Sequence, residues 1–197
     1  MSKQAKMEAR VILMTDDHIL DGCRNKDRNS QRLLYERYYE SLSFACYRYL
    51  RNQELVEDVV HEGFMKIFKN IHKFNGRGSL EGWMKRVMVN CCLDYLRKQN
   101  RQPRQVELEE AGGYEVDEDM VAQLQANYIL EVVGQLPPIL RTVFNLNVVE
   151  GYPHKEIAKL IKVKESTSRA YLTEAKKLIR KKLQHSGIGE ERRVKNG

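Results

Sequence analysis

Arg86, Asn90, Asp94 and Arg97 recur at spacings of four, four and three, which places them on one face of a helix. Arginine binds phosphate or guanine, and asparagine pairs with an adenine edge, so the stripe has the chemistry of a nucleic-acid contact. The segment before it holds Arg77, Gly78 and Ser79, a loop with backbone donors suited to holding an unstacked base whose edges are free. A solvated polar face with an Asp94–Lys98 pair worth a few tenths of a kcal/mol explains the same spacing, and on spacing alone it is the simpler reading.

A second region with binding chemistry runs from Pro153 to Leu183. Ile157, Ala158 and Ile161 give its first helix an apolar face, and Leu172, Ala175 and Ile179 do so for its second. A short turn at Lys162 to Lys164 separates them, and the second helix carries Arg169, Lys176, Lys177, Arg180, Lys181 and Lys182. Two short helices of which the second is cationic read as a helix-turn-helix that lays its second helix in the DNA major groove. A helical hairpin with a solvated cationic face is the alternative.

A third cluster is Glu57, Asp58, His61 and Glu62, near the start of a helix from Glu54. Acids there suit the helix dipole, and a polar group at the mouth of an apolar helix also makes a protein-docking surface. The carboxylates adjoin on one turn without a second histidine, a poor pattern for a metal site. No nucleophile elbow, phosphate-cradling glycine loop or zinc-hydrolase motif occurs, so neither catalysis nor a cofactor is expected. Cys23, Cys46, Cys91 and Cys92 form no CxxC pair and read as packed, reduced thiols of a cytoplasmic protein. Cys91 and Cys92 are expected on different sides of their helix. No run of 18 apolar residues suggests membrane insertion, and Val11 to Met14 is too short for a signal core.

Charge is distributed in blocks. The net of +7 over 197 residues resolves into +8 for 24–104, −7 for 105–119 and +6 for 120–183. Two cationic blocks around an anionic strip resemble two nucleic-acid-facing domains and a connector.

The elements that position these residues are helical throughout. A short helix is expected over 16–26. Another runs from Gln31 to Leu50 with Ser30 as N-cap, and a third from Glu54 to His72. A loop follows from Phe74 to Ser79, then a helix from Leu80 to about Lys98 with Trp83, Val87, Cys91 and Tyr95 inward. After the acidic strip, helical periodicity returns over 120–134. Pro137 and Pro138 suit the start of a helix that turns Leu140, Val143, Phe144 and Val148 to the core and stops at Gly151. The fold class is all-α, with two small helical domains.

Two motifs carry a resemblance. The first is Glu57-Asp58-Val59-Val60-His61-Glu62-Gly63-Phe64-Met65-Lys66-Ile67-Phe68, followed by Phe74, Arg77, Gly78, Ser79, Trp83, Asn90, Asp94, Tyr95, Leu96 and Arg97. The second is Leu136-Pro137-Pro138, Arg141, Val143-Phe144, Glu150-Gly151-Tyr152, Lys155-Glu156-Ile157-Ala158, Thr167, Ala175-Lys176 and Leu178, about 90 residues further on. In this order they resemble regions 2 and 4 of the extracytoplasmic-function sigma factors of bacterial RNA polymerase, over residues 18 to 183.

The resemblance implies a region 2 domain at 16–104, an acidic linker at 105–119, a region 4 domain at 120–184 and a flexible tail at 185–197. It implies that Asp58, His61 and Glu62 bind core RNA polymerase, with His61 where the family usually has Gln. Arg77, Ser79, Arg86, Asn90, Asp94 and Arg97 would take the −10 promoter element. Ser166, Arg169, Ala170, Thr173, Glu174 and Lys176 would read the −35 element as duplex, and the linker would either mimic nucleic-acid charge in a basic channel or serve as a disordered, solubilising tether. Promoter DNA, core polymerase and an anti-sigma factor are the implied partners. Departures from the family are Lys162 in place of the common turn Gly, Ser168 at an inward position often held by Val, and Glu174 and Tyr171 in place of frequent arginines. A helix-turn-helix regulator acting alone on duplex operators and a helical protein-interaction module are the competing readings.

Overall fold

The computed structural model describes residues 15–99 and 128–185. The chain divides into two compact units, Met1–Glu109 and Glu110–Gly197, built from helices with no strand among the described residues. The expected acidic linker at 105–119, residues 120–127 of the expected second domain, and the tail from 186 lie outside the described residues.

In the first unit, α1 (Asp16–Arg24), α2 (Arg28–Leu50), α3 (Gln53–Asn70) and α4 (Leu80–Gln99) follow one another, with a 3₁₀ turn at Ile71–Lys73 after α3. α2, α3 and α4 start where a polar side chain satisfies an orphan backbone N–H, whereas Thr15 ahead of α1 makes no such bond. Asn52 Oδ1 accepts from Leu55 N at 3.0 Å, and Ser79 Oγ accepts from Gly82 N at 3.0 Å. Ser30, the expected cap of α2, lies inside that helix. Asp27 caps it instead, because its carboxylate accepts from both the Ser30 N–H (2.8 Å) and the Ser30 hydroxyl (2.7 Å). Those two bonds hold the Asp27 carboxyl below its ordinary range. Arg51, in the left-handed conformation, ends α2 and turns the chain directly into the Asn52 cap.

The core of this unit is a shared apolar layer of Leu34, Leu42, Cys46 and Tyr49 from α2, Val56, Val60, Phe64 and Ile67 from α3, and Met84, Met88 and Cys92 from α4. The inward face of α4 differs from the expected one. Trp83, Val87 and Tyr95 are only half-buried, while Met84, Met88, Val89 and both adjacent cysteines are buried. α4 packs against α2 and α3 together, so its covered arc is wider than a single stripe and takes in Cys91 and Cys92 alike. All four cysteines are buried free thiols, and burial raises the Cys23 thiol to about 11. Polar ties join the layers: Asp16 accepts from Arg37 Nη1 (2.7 Å) and from the Tyr38 hydroxyl (2.5 Å), and Glu81 accepts from Ser41 Oγ (2.5 Å).

In the second unit, residues 128–134 are helical (α5), followed by α6 (Pro138–Phe144), a π turn (Asn145–Val149), α7 (His154–Ile161) and α8 (Glu165–His185). Pro137 caps α6 and Pro138 occupies its first turn, where a missing N–H costs nothing. Val132, Val133, Leu136 and Leu140 pack with Ala175 and Ile179 of α8. Arg141 is buried and donates from Nη1 to Gly134 O at 2.7 Å, closing the α5–α6 corner. The π turn breaks the 3.6-residue phase. Asn145 and Leu146 therefore stay in the core, and Val148, expected inward, is 50 % exposed.

α7 ends at Lys162, whose φ of 58° and ψ of 48° are left-handed, the conformation that glycine adopts without a Cβ penalty. Ser168 of α8 is fully buried, and its hydroxyl lies 2.9 Å from His154 Nδ1 at the start of α7. Lys162→Gly is expected to stabilise the chain by about 0.5–1 kcal/mol, read as a higher urea midpoint. Ser168→Ala, which removes the bond to His154, is expected to lower stability by about 1 kcal/mol in the same assay.

Candidate nucleic-acid and polymerase interface

α3 is divided lengthwise. Val56, Val59, Val60, Phe64 and Ile67 are buried, whereas Glu57, Asp58, His61, Glu62 and Met65 are exposed. Spacings of three and four put Asp58, His61, Glu62 and Met65 on one outward face. Glu62 is joined to Lys66 Nζ at 2.7 Å, and that bond is the main reason its carboxyl titrates below its usual range. Met65, 64 % exposed, sits among these polar groups as an apolar side chain without a charge pattern to mark it in the sequence. Such a centre with a polar rim is the anatomy of a protein interface.

The loop from Phe74 to Ser79 is held at its base and open at its tip. Arg24 Nη2 donates to Phe74 O at 2.8 Å, and the Phe74 ring lies 5.8 Å from that of Trp83. Asn75 Oδ1 accepts from Arg77 N at 3.1 Å. Gly76 and Gly78 have φ of 77° and 83°, values that L side chains seldom adopt. Residues 75–79 are all exposed. Arg77 is exposed on the loop, and Ser79 spends one lone pair as the cap of α4. The anchoring by Arg24, fifty residues upstream, had no signal in the sequence.

α4 brings the expected stripe together. Arg86 and Asn90 are exposed, and Asp94 and Arg97 are half-buried on the same face. The ion pair of Asp94 is with Arg97, not with Lys98; Arg97 Nε also donates to Leu93 O at 3.2 Å. Lys66 of α3 stands 4.0 Å from Asp94, so the acidic face of α3 and the stripe of α4 are adjacent. Glu57 and Glu62 are exposed on α3, and Arg86 and Asn90 are exposed on α4, with Arg97 half-buried beside them.

In the second unit, α7 and α8 form the expected helix-turn-helix. Ile157, Ala158, Leu172, Ala175 and Ile179 are buried, the last two against α5 and α6. Ser166, Arg169, Ala170, Thr173, Glu174 and Lys176 are all exposed. At about 100° per residue, the first four form the centre of the face, and Glu174 and Lys176 lie about 80° to either side. Arg169 is paired with Glu165 at 2.6 Å, and Glu174 is 4.0 Å from Lys177. The Thr173 hydroxyl donates to Arg169 O at 3.1 Å. Lys182 is directed away from this face by a 2.5 Å bond to Gln135 Oε1 beside α5. Neither the Arg169 pairing nor the Lys182 anchor was foreseen. The first follows from i,i+4 spacing; the second needs tertiary contact.

Residues 34–102 match the family model Sigma-70 region 2, and residues 126–179 match Sigma-70, region 4. The ECF RNA polymerase sigma-E factor of Haemophilus influenzae is 26% identical over 183 residues, covering 87% of this chain and 96% of that protein. The ECF RNA polymerase sigma-E factor of Escherichia coli (strain K12) is also 26% identical over 183 residues, covering 87% and 95%. Among solved structures, CnrH in complex with the cytosolic domain of CnrY has a TM-score of 0.48 at 17% identity, covering 86% of this chain and 97% of that one. The sigma factor RpoE of Bartonella quintana in complex with the anti-sigma factor NepR has a TM-score of 0.49 at 15% identity, covering 78% and 96%. With both regions matched in order and curated relatives covered nearly end to end, the chain belongs to the extracytoplasmic-function sigma factors, promoter-recognising proteins that direct transcription initiation.

Proposed function

We propose that each unit contributes one step of promoter engagement. α3 docks on core RNA polymerase through Asp58, His61 and Glu62, with Met65 as the apolar centre of the contact. The loop at 74–79 and α4 take the −10 element through Arg77, Ser79, Arg86, Asn90, Asp94 and Arg97. α8 reads the −35 duplex through Ser166, Arg169, Ala170, Thr173, Glu174 and Lys176. The protein makes and breaks no bonds. Opening of the −10 region is driven by holding an unstacked base in the loop, which offsets a few kcal/mol of lost stacking.

The observation that carries this reading is the glycine loop, fixed at Phe74 and exposed from Asn75 to Ser79, opening into a helix whose outward stripe is Arg, Asn, Asp and Arg. A duplex-only regulator has no use for it. We assign residues 16–104 to region 2 and 120–184 to region 4, spans within which the two family models match, at 34–102 and 126–179. An anti-sigma protein joins polymerase and promoter DNA as a partner. We place the protein in the cytoplasm, where polymerase works; no helix among the described residues is long and apolar enough to cross a membrane.

His61 and Glu174 set the chain's own specificity. A glutamate at the edge of the recognition face accepts from a cytosine amino group and repels phosphate, so the −35 preference differs from that of a chain with Arg there. Asn90→Ala is expected to bind core enzyme with unchanged affinity and to lower run-off transcription at least tenfold; an equal loss of core binding contradicts the assignment. Glu174→Ala is expected to change the sequences selected from a randomised −35 library, and identical selections from wild type and variant contradict its role.

A further inference from the structure

The charged groups of α3 and α4 form one chain. Lys66 Nζ is 2.7 Å from Glu62 Oε1 and 4.0 Å from Asp94 Oδ2, and Asp94 is paired at the same time with Arg97. Glu62, Lys66, Asp94 and Arg97 therefore alternate in sign from one proposed surface to the other. Glu62 belongs to the face assigned to polymerase, Asp94 and Arg97 to the face assigned to the −10 strand, and Lys66 to neither. The Lys66 side chain is 39% exposed. It is thus partly shielded from the screening that makes fully solvated pairs weak.

Two carboxylates compete for Lys66, and two cations compete for Asp94. In the chain by itself Lys66 is committed to Glu62, and Asp94 is left to Arg97. The shifts of the first pair agree with that commitment: the Lys66 ammonium is raised and the Glu62 carboxyl lowered, each chiefly by its bond to the other. A cation on the polymerase that takes Glu62 removes the nearer anion of Lys66. Asp94 then lies about 1 Å beyond bonding distance, within reach of the flexible four-carbon stem of a lysine. Once Lys66 neutralises Asp94, the Arg97 guanidinium is released from its intrahelical partner and is available to a phosphate, which it binds in bidentate fashion.

We propose that Lys66 is a positioning residue that couples the two surfaces, so that capture of Glu62 by polymerase frees Arg97 for the promoter strand. The proposal rests on the assignment of those surfaces given above. It makes core binding and −10 binding mutually reinforcing, as linkage requires of any such coupling. It also assigns a function to a cation that faces neither ligand.

The test is a double-mutant cycle on holoenzyme purified after assembly with core polymerase, with −10 opening read by permanganate reactivity of unpaired thymines. Lys66→Met is expected to lower opening about threefold in the parent chain and to have no further effect in the Arg97→Ala chain, because its action passes through Arg97. Lys66→Arg is expected to restore opening. Independent, multiplicative losses from Lys66→Met and Arg97→Ala, or failure of Lys66→Arg to rescue, overturn the coupling while leaving the surface assignment intact. If Arg97→Ala itself leaves opening unchanged, the assignment of the DNA face fails and the coupling with it.

Discussion

Close approach of α3 to α4 is the constraint on which the first unit depends. It centres on Gly63, where a Cβ would stand 2.1 Å from Met88 Sδ. Met88 is fully buried, so its thioether lies directly on the α3 backbone where any other residue would push it away. Packed interiors respond to such shifts as solids do. A side chain at position 63 would have to displace the buried end of Met88, whose Sδ and Cε lie nearest. The same approach brings Lys66 of α3 to the rim of α4. Polar chemistry at the surface is thus set by an apolar contact beneath it.

The two units solve a common problem differently. Each must expose a row of polar or cationic side chains while burying enough apolar surface to fold. In the first unit α3 and α4 each do both, with a buried stripe backing an exposed one. In the second, α7 is short and its contribution is a turn: the left-handed Lys162 and the His154–Ser168 bond fix how α8 leaves it. A buried hydroxyl must find a partner or lose the hydrogen bonds it made to water, so Ser168 ties position to pairing more narrowly than an apolar residue would. Among the departures from the family pattern, the structure thereby gives Ser168 a partner and holds Lys162 in the left-handed conformation as a small strain.

Charge is unevenly distributed over the surface. Acids gather on the outward face of α3, whereas Arg77 lies on the loop and Arg86 and Arg97 lie on α4. On α8 the cations are abundant but unequal. Arg169 is held by Glu165 and Lys182 is turned toward Gln135, so a count of basic residues overstates what the recognition face presents. Exposed pairs of this kind contribute little stability, about 0–1 kcal/mol. Their effect is on where the charge stands before a ligand arrives.

Apolar periodicity determined the helical class, the helix-turn-helix and the outward faces of α3, α4 and α8. It did so because 3.6-residue spacing is a local property that any buried helix must satisfy. The glycine loop was legible too, since Gly76 and Gly78 occupy backbone conformations that few other residues tolerate. Tertiary structure decided the rest. The cap of α2 is an exception: Asp27 takes it from Ser30 by a local contact three residues apart, because its carboxylate reaches two donors at once. Cys91 and Cys92 were both buried because two helices flank α4. Val148 turned outward because a π turn reset the phase. The Glu62–Lys66–Asp94–Arg97 chain joins residues on separate helices, so no spacing rule along one helix could reveal it; only the packing of α3 against α4 brings those charges within reach.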